Sequence, residues 1–234
     1  MKVSLIIPMY NERSIIEDSA QCVSDYMEKH FDSYEIIFYD DGSTDGCGEL
    51  VRAMNLPCVR VMGDPENRGK GCAVRHAVLA AEGDWIMFTD ADLAYGTDVV
   101  GTFYEHAQQK ENASIWIGSR SLSEGGYDGY TWRRKWMSRA YVRLLGLIGG
   151  FRYSDSQSGC KAFRREAAKE IFSRCETDDF SFDFEVILWA ERLGYSIEEV
   201  PVKVLNHRQS KVRPIKDAFR MLKSIRKIKK RTQK

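Results

Sequence analysis

Two carboxylates, Asp90 and Asp92, directly follow the apolar run "WIMFT" and are separated by one alanine. A second acidic pair, Asp40 and Asp41, ends the run "YEIIFYDD". Carboxylate oxygens are the ligands that Mg²⁺ and Mn²⁺ prefer, and Mg²⁺ often takes only one or two of them together with substrate phosphates and water. Acids clustered without basic partners repel one another unless a cation lies among them. The residue types therefore predict a divalent-cation site that serves a phosphorylated substrate.

Other familiar catalytic motifs do not compete with this prediction. The segment "NRGKG" has glycines but lacks the spacing of a P-loop, and "PMYNE" stands where a dinucleotide-binding protein carries GxGxxG. The four histidines have no HExxH spacing. The pattern argues against a P-loop NTPase, a dinucleotide-dependent oxidoreductase and a zinc hydrolase. It favours metal-assisted chemistry on a substrate that brings its own phosphates.

The elements that must position these acids are short β-branched and aromatic runs alternating with helical patterns. Such alternation predicts an α/β fold built on a doubly wound, mainly parallel sheet, and continuous apolar strands indicate burial on both faces. Ligands of such sheets bind beyond the carboxyl ends of the strands, so we expect the acids to meet in one crevice. We place strands at 2–10, 34–40, 58–62, 84–90, 113–118 and 196–202, and a loop at 154–163.

The chain has 234 residues, of which 43% are hydrophobic, enough for one sizeable core. Residues 203–234 hold 13 Lys and Arg against one acid, whereas the preceding residues hold 22 basic and 33 acidic side chains. We therefore expect one domain at 1–213 and a basic amphipathic helix at 214–234. The apolar stripe predicted for that helix is Ile215, Phe219, Leu222, Ile225 and Ile228.

Seven segments resemble, in the same order, motifs of the family 2 inverting glycosyltransferases of the GT-A fold, and most of all the polyprenyl- and dolichyl-phosphate mannose and glucose synthases. The segments are "IIPMYNE", "YDDGSTDG", "ENRGKGCAVRHAVLAAEGDWIMFTDADL", "IGSR", "SQSGCKAFRREAA", "FDFEVILWAERLGY" and "EVPV". The resemblance covers about 2–213 and implies a Rossmann-like GT-A domain with a nucleotide-sugar half at about 1–118 and an acceptor half at about 119–213. It also implies metal-dependent, inverting transfer of a hexose from a UDP-glucose or GDP-mannose type donor to a polyprenyl phosphate, with Mg²⁺ or Mn²⁺ as cofactor.

On the donor side, the resemblance makes Asp90 and Asp92 the DxD pair and the metal ligands. Mannose synthases of this family commonly carry Gln two residues after the pair, as a further metal ligand, but this chain has Ala94. The metal is then expected to rely more on water and the diphosphate. The nucleotide-sugar contacts implied are Pro8, Tyr10, Asn11, Glu12, Asp40, Asp41, Lys70, Asp90, Ala91 and Asp92.

On the acceptor side, a phosphate is already ionised, so it needs cations that hold it rather than a general base. The resemblance implies catalytic roles for Asp92, Arg120 and Asp183. Arg133 replaces Arg134 if its helix starts one residue differently. The acceptor-phosphate contacts implied are Arg120, Arg134 and Ser138, and Arg208 and Lys211 are expected to close over the diphosphate.

Membrane contact is predicted from two amphipathic basic segments, 132–148 and the C-terminal helix, because anionic lipid attracts each nearby Lys or Arg by about 1 kcal/mol. The longest uncharged apolar stretch, Leu144 to Phe151, is too short to span a bilayer. Scattered cysteines and no signal peptide favour a reduced, cytoplasmic protein, peripheral on the cytosolic face of a membrane. The expected partners are a nucleotide sugar, a polyprenyl phosphate lipid, anionic lipid and a separate membrane protein, but not nucleic acid.

The sequence leaves two other functions open. One is transfer to a saccharide or lipopolysaccharide hydroxyl, with Asp183 as general base. The other is an inactive, membrane-bound scaffold. The sequence does not separate UDP from GDP donors, although "GCKAFRREAA" and the run of motifs resemble the glucose synthases slightly more, which favours UDP-glucose.

Overall fold

The computed structural model describes residues 1–127, 146, 152–155, 158–206, 224–225 and 227–232. Seven strands form one sheet in the order β3-β2-β1-β4-β6-β5-β7. The first four strands are parallel, β6 is antiparallel to both of its neighbours, and β7 is parallel to β5. The strands are β1 Val3–Met9, β2 Tyr34–Asp41, β3 Val59–Asp64, β4 Trp85–Phe88, β5 Ile115–Ser119, β6 Lys161–Arg164 and β7 Ile197–Pro201.

Helices cover both faces of the sheet. They are α1 Ile16–His30, α2 Cys47–Ala53, α3 Lys70–Ala80, α4 Val99–Gln109, α5 Arg165–Arg174 and α6 Phe182–Arg192. Alternate residues of β1 point to opposite faces: Leu5 and Ile7 pack with α1, α2 and α4, while Ile6 packs with α3, α5 and α6. The core therefore has two layers separated by the sheet, and the prediction of a doubly wound, mainly parallel α/β fold is confirmed.

One strand contradicts the sequence prediction. Residues 154–163 were expected to form a loop, but Lys161 to Phe163 belong to β6, which lies between β4 and β5. The strand has only four residues, and it begins with a lysine. A short run opened by a charge does not show the apolar pattern of a central strand, so local sequence could not identify it.

The C-terminal segment also differs from its prediction. Ile225 and Ile228 were assigned to a lipid-facing stripe, which is wrong for these two residues, because they are 0% and 1% exposed and pack in the core layer of α3, α5 and α6. Arg231 extends this contact with an ion pair of 2.6 Å to the buried Glu185 of α6. Segment 132–145 and residues 214–223 lie outside the described residues. Among those described, no helix has both the length and the apolar character needed to cross a membrane.

Candidate active site

The carboxyl ends of three neighbouring parallel strands, β2, β1 and β4, meet at one edge of the sheet. Asp40 and Asp41 end β2, and Asp90 and Asp92 follow β4 directly. The parallel direction of the strands thus brings both acidic pairs to the same edge, as the sequence pattern predicted.

The loops after β1 and β2 are joined by hydrogen bonds. The amide of Asn11 donates to Ser43 Oγ at 3.0 Å, and the amide of Thr44 donates to Asn11 Oδ1 at 2.9 Å. Asn11 adopts a left-handed φ of 52°, which an asparagine tolerates better than most side chains. Beside it, Tyr10 is exposed at 39%, so the paired loops present an aromatic ring to solvent next to the acids. Pro8 and Glu12 lie two residues before and two residues after Tyr10 in the sequence, and both are partly buried.

The acids of β2 are held by backbone amides. Asp41 is 3% exposed and accepts hydrogen bonds from the amides of Arg68 at 2.9 Å and Gly69 at 2.8 Å. Burial raises the pKa of Asp41, although these two amides oppose the shift. Asp40 Oδ1 accepts the amide of Ser43 at 2.8 Å. The pair therefore fixes the loops that follow β2 and β3.

The first acid of the DxD pair lies against a lysine and a glycine. Lys70 Nζ, at the start of α3, contacts Asp90 Oδ1 at 2.5 Å. Burial lowers the pKa of Lys70, but the charges of Asp90, Asp183 and Asp92 outweigh it and the net shift is upward. On the other side, a Cβ atom at Gly159 would lie 1.7 Å from Asp90 Oδ2, so a larger residue would displace this carboxylate. Lysine and glycine together fix the position of the carboxylate.

The second acid of the pair accepts a backbone amide. Asp92 Oδ1 accepts the amide of Ala94 at 3.1 Å. Burial, followed by the charge of Asp90, raises the pKa of Asp92. The backbone carbonyl of Ala94 accepts hydrogen bonds from the amides of Leu205 at 2.8 Å and Asn206 at 3.2 Å. Ala94, which stands where mannose synthases have a glutamine, therefore joins the chain after β7 to the turn that carries Asp90 and Asp92.

These carboxylates fit Mg²⁺ or Mn²⁺. Both ions bind hard carboxylate oxygens and complete their shells with water and substrate phosphates, so one or two protein ligands suffice. Asp92 is the better ligand of the two, because Lys70 already contacts an oxygen of Asp90. Ala91, between them, is 5% exposed and packs in the core.

A buried ion pair lies under the site. Lys161, 0% exposed, contacts Asp183 Oδ1 at 2.6 Å and donates to the carbonyl of Ser158 at 2.9 Å. Burial raises the pKa of Asp183, with the charges of Lys161 and Lys70 opposing the shift. Sequence reasoning singled out Asp183 but missed Lys161. The available signal was a lysine inside the otherwise uncharged run "SGCKAF".

The predicted acceptor residues are only partly described. Arg120 makes a bidentate ion pair with Asp155, with Nε at 2.6 Å from Oδ2 and the terminal nitrogen at 2.8 Å from Oδ1. Its guanidinium also lies 5.4 Å from the ring centre of Tyr127. The partner Asp155 was not predicted, because its pairing spans 35 positions. Arg134, Ser138, Arg208 and Lys211, together with Arg133, lie outside the described residues.

Comparison with curated proteins gives close relatives. A dolichyl-phosphate beta-glucosyltransferase from Trichomonas vaginalis is 30% identical over 86% of this chain and 63% of its own length. A dolichyl-phosphate beta-glucosyltransferase from Dictyostelium discoideum is 30% identical over 97% of this chain and 73% of its own length. The chain thus spans about two thirds of the length of the curated relatives it matches.

Solved structures agree with the fold. Glucosyl-3-phosphoglycerate synthase from Mycobacterium tuberculosis, in complex with Mn²⁺, uridine-diphosphate-glucose and phosphoglyceric acid, superposes with a TM-score of 0.74 at 21% identity. The match covers 99% of this chain and 80% of that one, and it confirms the GT-A fold. The family model described as "Glycosyl transferase family 2" matches residues 4–172. The chain therefore belongs to glycosyl transferase family 2.

Proposed function

We propose that this protein transfers glucose from UDP-glucose to a dolichyl or related polyprenyl phosphate, with inversion at the anomeric carbon and in dependence on Mg²⁺ or Mn²⁺. The observation that carries the proposal is the placement of Asp90 and Asp92, with Lys70 at 2.5 Å from the first, at the edge where β1, β2 and β4 end. The choice of sugar and acceptor is supported by the relatives, which are dolichyl-phosphate beta-glucosyltransferases.

The donor is proposed to lie across the paired loops. Tyr10 supplies an exposed ring that can stack on a base, and Asp40 and the Asn11 loop border it. Asp92 would hold the metal, which would supply positive charge to neutralise the departing diphosphate. Asp90 and Lys70 fix the turn that carries Asp92, and the Lys70 ammonium adds positive charge to the same place.

The acceptor phosphate needs no general base. One of its oxygens attacks the anomeric carbon, and the bond from that carbon to the diphosphate breaks, with its electron pair leaving on the nucleoside diphosphate. Attack from the face opposite the leaving group turns an α-linked donor into a β-linked product. Asp183, buried and paired with Lys161, is proposed to position the floor of the site rather than to accept a proton.

We propose that Arg120, which is 8% exposed and is held in place by Asp155, acts at the acceptor. The roles of Arg134, Ser138, Arg208 and Lys211 rest on the resemblance of their motifs. The acceptor lipid requires the protein to work at a membrane surface, and we propose the cytosolic face. The basic residues after 202 supply attraction to anionic lipid, and we propose a separate membrane protein as a further anchor.

The test is an assay of purified protein with Mn²⁺, dolichyl phosphate and a panel of UDP- and GDP-sugars. We expect a glucosyl lipid from UDP-glucose and much less product from GDP-mannose. Product from GDP-mannose alone would overturn the choice of donor. Glycosylation of a free saccharide in place of the lipid would overturn the acceptor.

Transfer to a hydroxyl is the second candidate, favoured by one observation: burial raises the pKa of Asp183, as a general base requires. A pH-rate profile distinguishes the two functions. If Asp183→Asn removes one limb of the pH-rate profile, Asp183 acts as a general base and the hydroxyl acceptor is supported. If the limb persists in this variant, the phosphate acceptor is supported. Calorimetry with UDP-glucose and Mn²⁺ tests the scaffold alternative, which predicts no binding.

A further inference from the structure

A second cluster of metal-ligating side chains lies behind the donor crevice. Asp64 is the last residue of β3, and Cys72 and His76 lie one turn apart on α3, so both face the same side of the helix. One ligand atom from each of the three residues lies within 4.8 Å of the others. Among the described residues, this is the one group of His, Cys, Asp and Glu side chains that meets this distance.

The distances within the cluster approach those between three ligands of a tetrahedral metal ion. Asp64 Oδ2 is 3.3 Å from His76 Nδ1, and Cys72 Sγ is 4.0 Å from Asp64 Oδ2 and 3.9 Å from His76 Nδ1. With Zn–S of about 2.3 Å and Zn–N or Zn–O of about 2.0–2.1 Å, neighbouring ligands of a tetrahedral ion are roughly 3.3–3.6 Å apart. The oxygen and nitrogen already have this separation. The sulfur needs to move inward by only a few tenths of an ångström.

A tyrosine supports the ligands. Tyr39 Oη donates its one hydrogen to Asp64 Oδ2 at 2.9 Å, so His76 Nδ1, which lies 2.8 Å away, is the donor of that second contact and gives it up, with its proton, when a metal binds at this nitrogen. A hydroxyl that donates to a ligating carboxylate is a common orienting group in metal sites. The Cys72 side chain is fully buried, while the side chains of Asp64 and His76 are 19% and 33% exposed. Water can therefore reach the site from one side.

We propose that Asp64, Cys72 and His76 bind a Zn²⁺ ion, with water as the fourth ligand. Zinc is the divalent ion that commonly accepts thiolate, imidazole and carboxylate together in a tetrahedral site. On binding, the Cys72 thiol loses its proton to solvent and the thiolate bonds to the metal. The role is structural, because the ion joins the end of β3 to α3 and closes the loop 65–69.

The closed loop carries groups that the donor crevice uses. Its residues Arg68 and Gly69 give their amides to Asp41, and Lys70 follows directly and contacts Asp90. Zinc at Asp64 and Cys72 would hold both ends of this loop. The inference concerns binding and stability, so it stands or falls independently of which sugar is transferred.

The experiment measures zinc by mass spectrometry after dialysis, and then Co²⁺ uptake by absorption spectroscopy. We expect one zinc per chain, and a thiolate-to-cobalt charge-transfer band. Cys72→Ser and His76→Gln should each lower zinc affinity by more than about 100-fold, because each removes a ligand directly. Tyr39→Phe should lower it by about 10–100-fold, as loss of an orienting group does. Cys175→Ser, which removes another buried thiol, is the matched control and should keep the metal.

Asp92→Asn separates this site from the crevice and should retain the zinc. Zinc lost from Asp92→Asn but kept by Cys72→Ser would overturn the proposal, and so would wild-type protein that takes up neither zinc nor cobalt at the thiol. Should Cys72→Ser fail to fold, His76→Gln and Tyr39→Phe supply the same test, with circular dichroism as the check of folding.

Discussion

The two acidic pairs at the edge of the sheet differ in what holds their carboxylates. Asp40 and Asp41 accept hydrogen bonds from the amides of Ser43, Arg68 and Gly69. Asp90 instead contacts the ammonium of Lys70, and Asp92 accepts one amide. Asp41, which accepts two backbone amides, is fixed as part of a loop, whereas Asp92, with one donor among the described residues, keeps oxygens that a metal can bind. The same residue types at matching strand ends thus have different surroundings, which fits the proposal that the first pair organises the crevice and the second takes part in its chemistry.

Substitution of Asp92 is the strongest test of this difference between the two acidic pairs. Asp92→Asn should lower the rate of transfer by about 10³-fold, because it removes the proposed metal ligand and with it the neutralisation of the leaving diphosphate. The measurement is kcat with UDP-glucose and saturating Mn²⁺. Asp98→Asn, an exposed acid at the start of α4, is the control and should keep its rate. Near-normal transfer by Asp92→Asn would show that Asp92 is not the metal ligand on which transfer depends.

Lys70 tests whether the second pair depends on a side-chain cation. Lys70→Met should lower kcat by about 10²-fold, since Asp90 loses its partner and the crevice loses a positive charge. Lys2→Met breaks an exposed ion pair of 2.9 Å with Glu82 and should leave transfer unchanged. Equal values of kcat for the two variants would show that Lys70 contributes no more to transfer than an exposed lysine does.

Asp41 tests the organising pair. In Asp41→Asn one of the two amide donors, from Arg68 or Gly69, loses its acceptor, so the loop before Lys70 loosens. We expect KM for the donor to rise about 10-fold with kcat nearly unchanged, because the change affects placement of the donor rather than the reacting charge. A fall in kcat as large as that of Asp92→Asn would erase the distinction between the pairs.

The smallest effect is on stability. The folded-state pKa of Asp92 is raised by burial and by Asp90, so this carboxyl favours the folded state most below its unfolded pKa and loses that contribution as pH rises through the folded pKa. Without metal, Asp92→Asn should therefore unfold at a slightly higher temperature than the wild type at neutral pH. Adding Mn²⁺ should reverse the order, because only the wild type binds it well. Thermal unfolding with and without Mn²⁺ measures both, and an identical Mn²⁺ shift in the two proteins would contradict the assignment.

Local pattern predicted the parts of the site that lie on single strands. Apolar runs ending in acids placed Asp40 and Asp90 correctly, because parallel strands share the edge at which they end. Local pattern did not predict the ion pairs between residues that are distant in the sequence. Lys161 opens a four-residue strand that looks like a loop, and Arg120 finds Asp155 only through the tertiary fold. The stripe of Ile225 and Ile228 has a period that fits lipid and core equally well, so sequence could not choose between them.

The absence of a Cβ atom at Gly159 determines where the Asp90 carboxylate lies. Its lack of a side chain lets Asp90 lie against the backbone and meet Lys70 from the other side. A single methyl group in Gly159→Ala would displace the carboxylate while leaving every charge in the crevice unchanged. This position therefore separates two quantities that substitutions of Asp90 or Lys70 change together, the amount of charge in the site and the place where that charge lies.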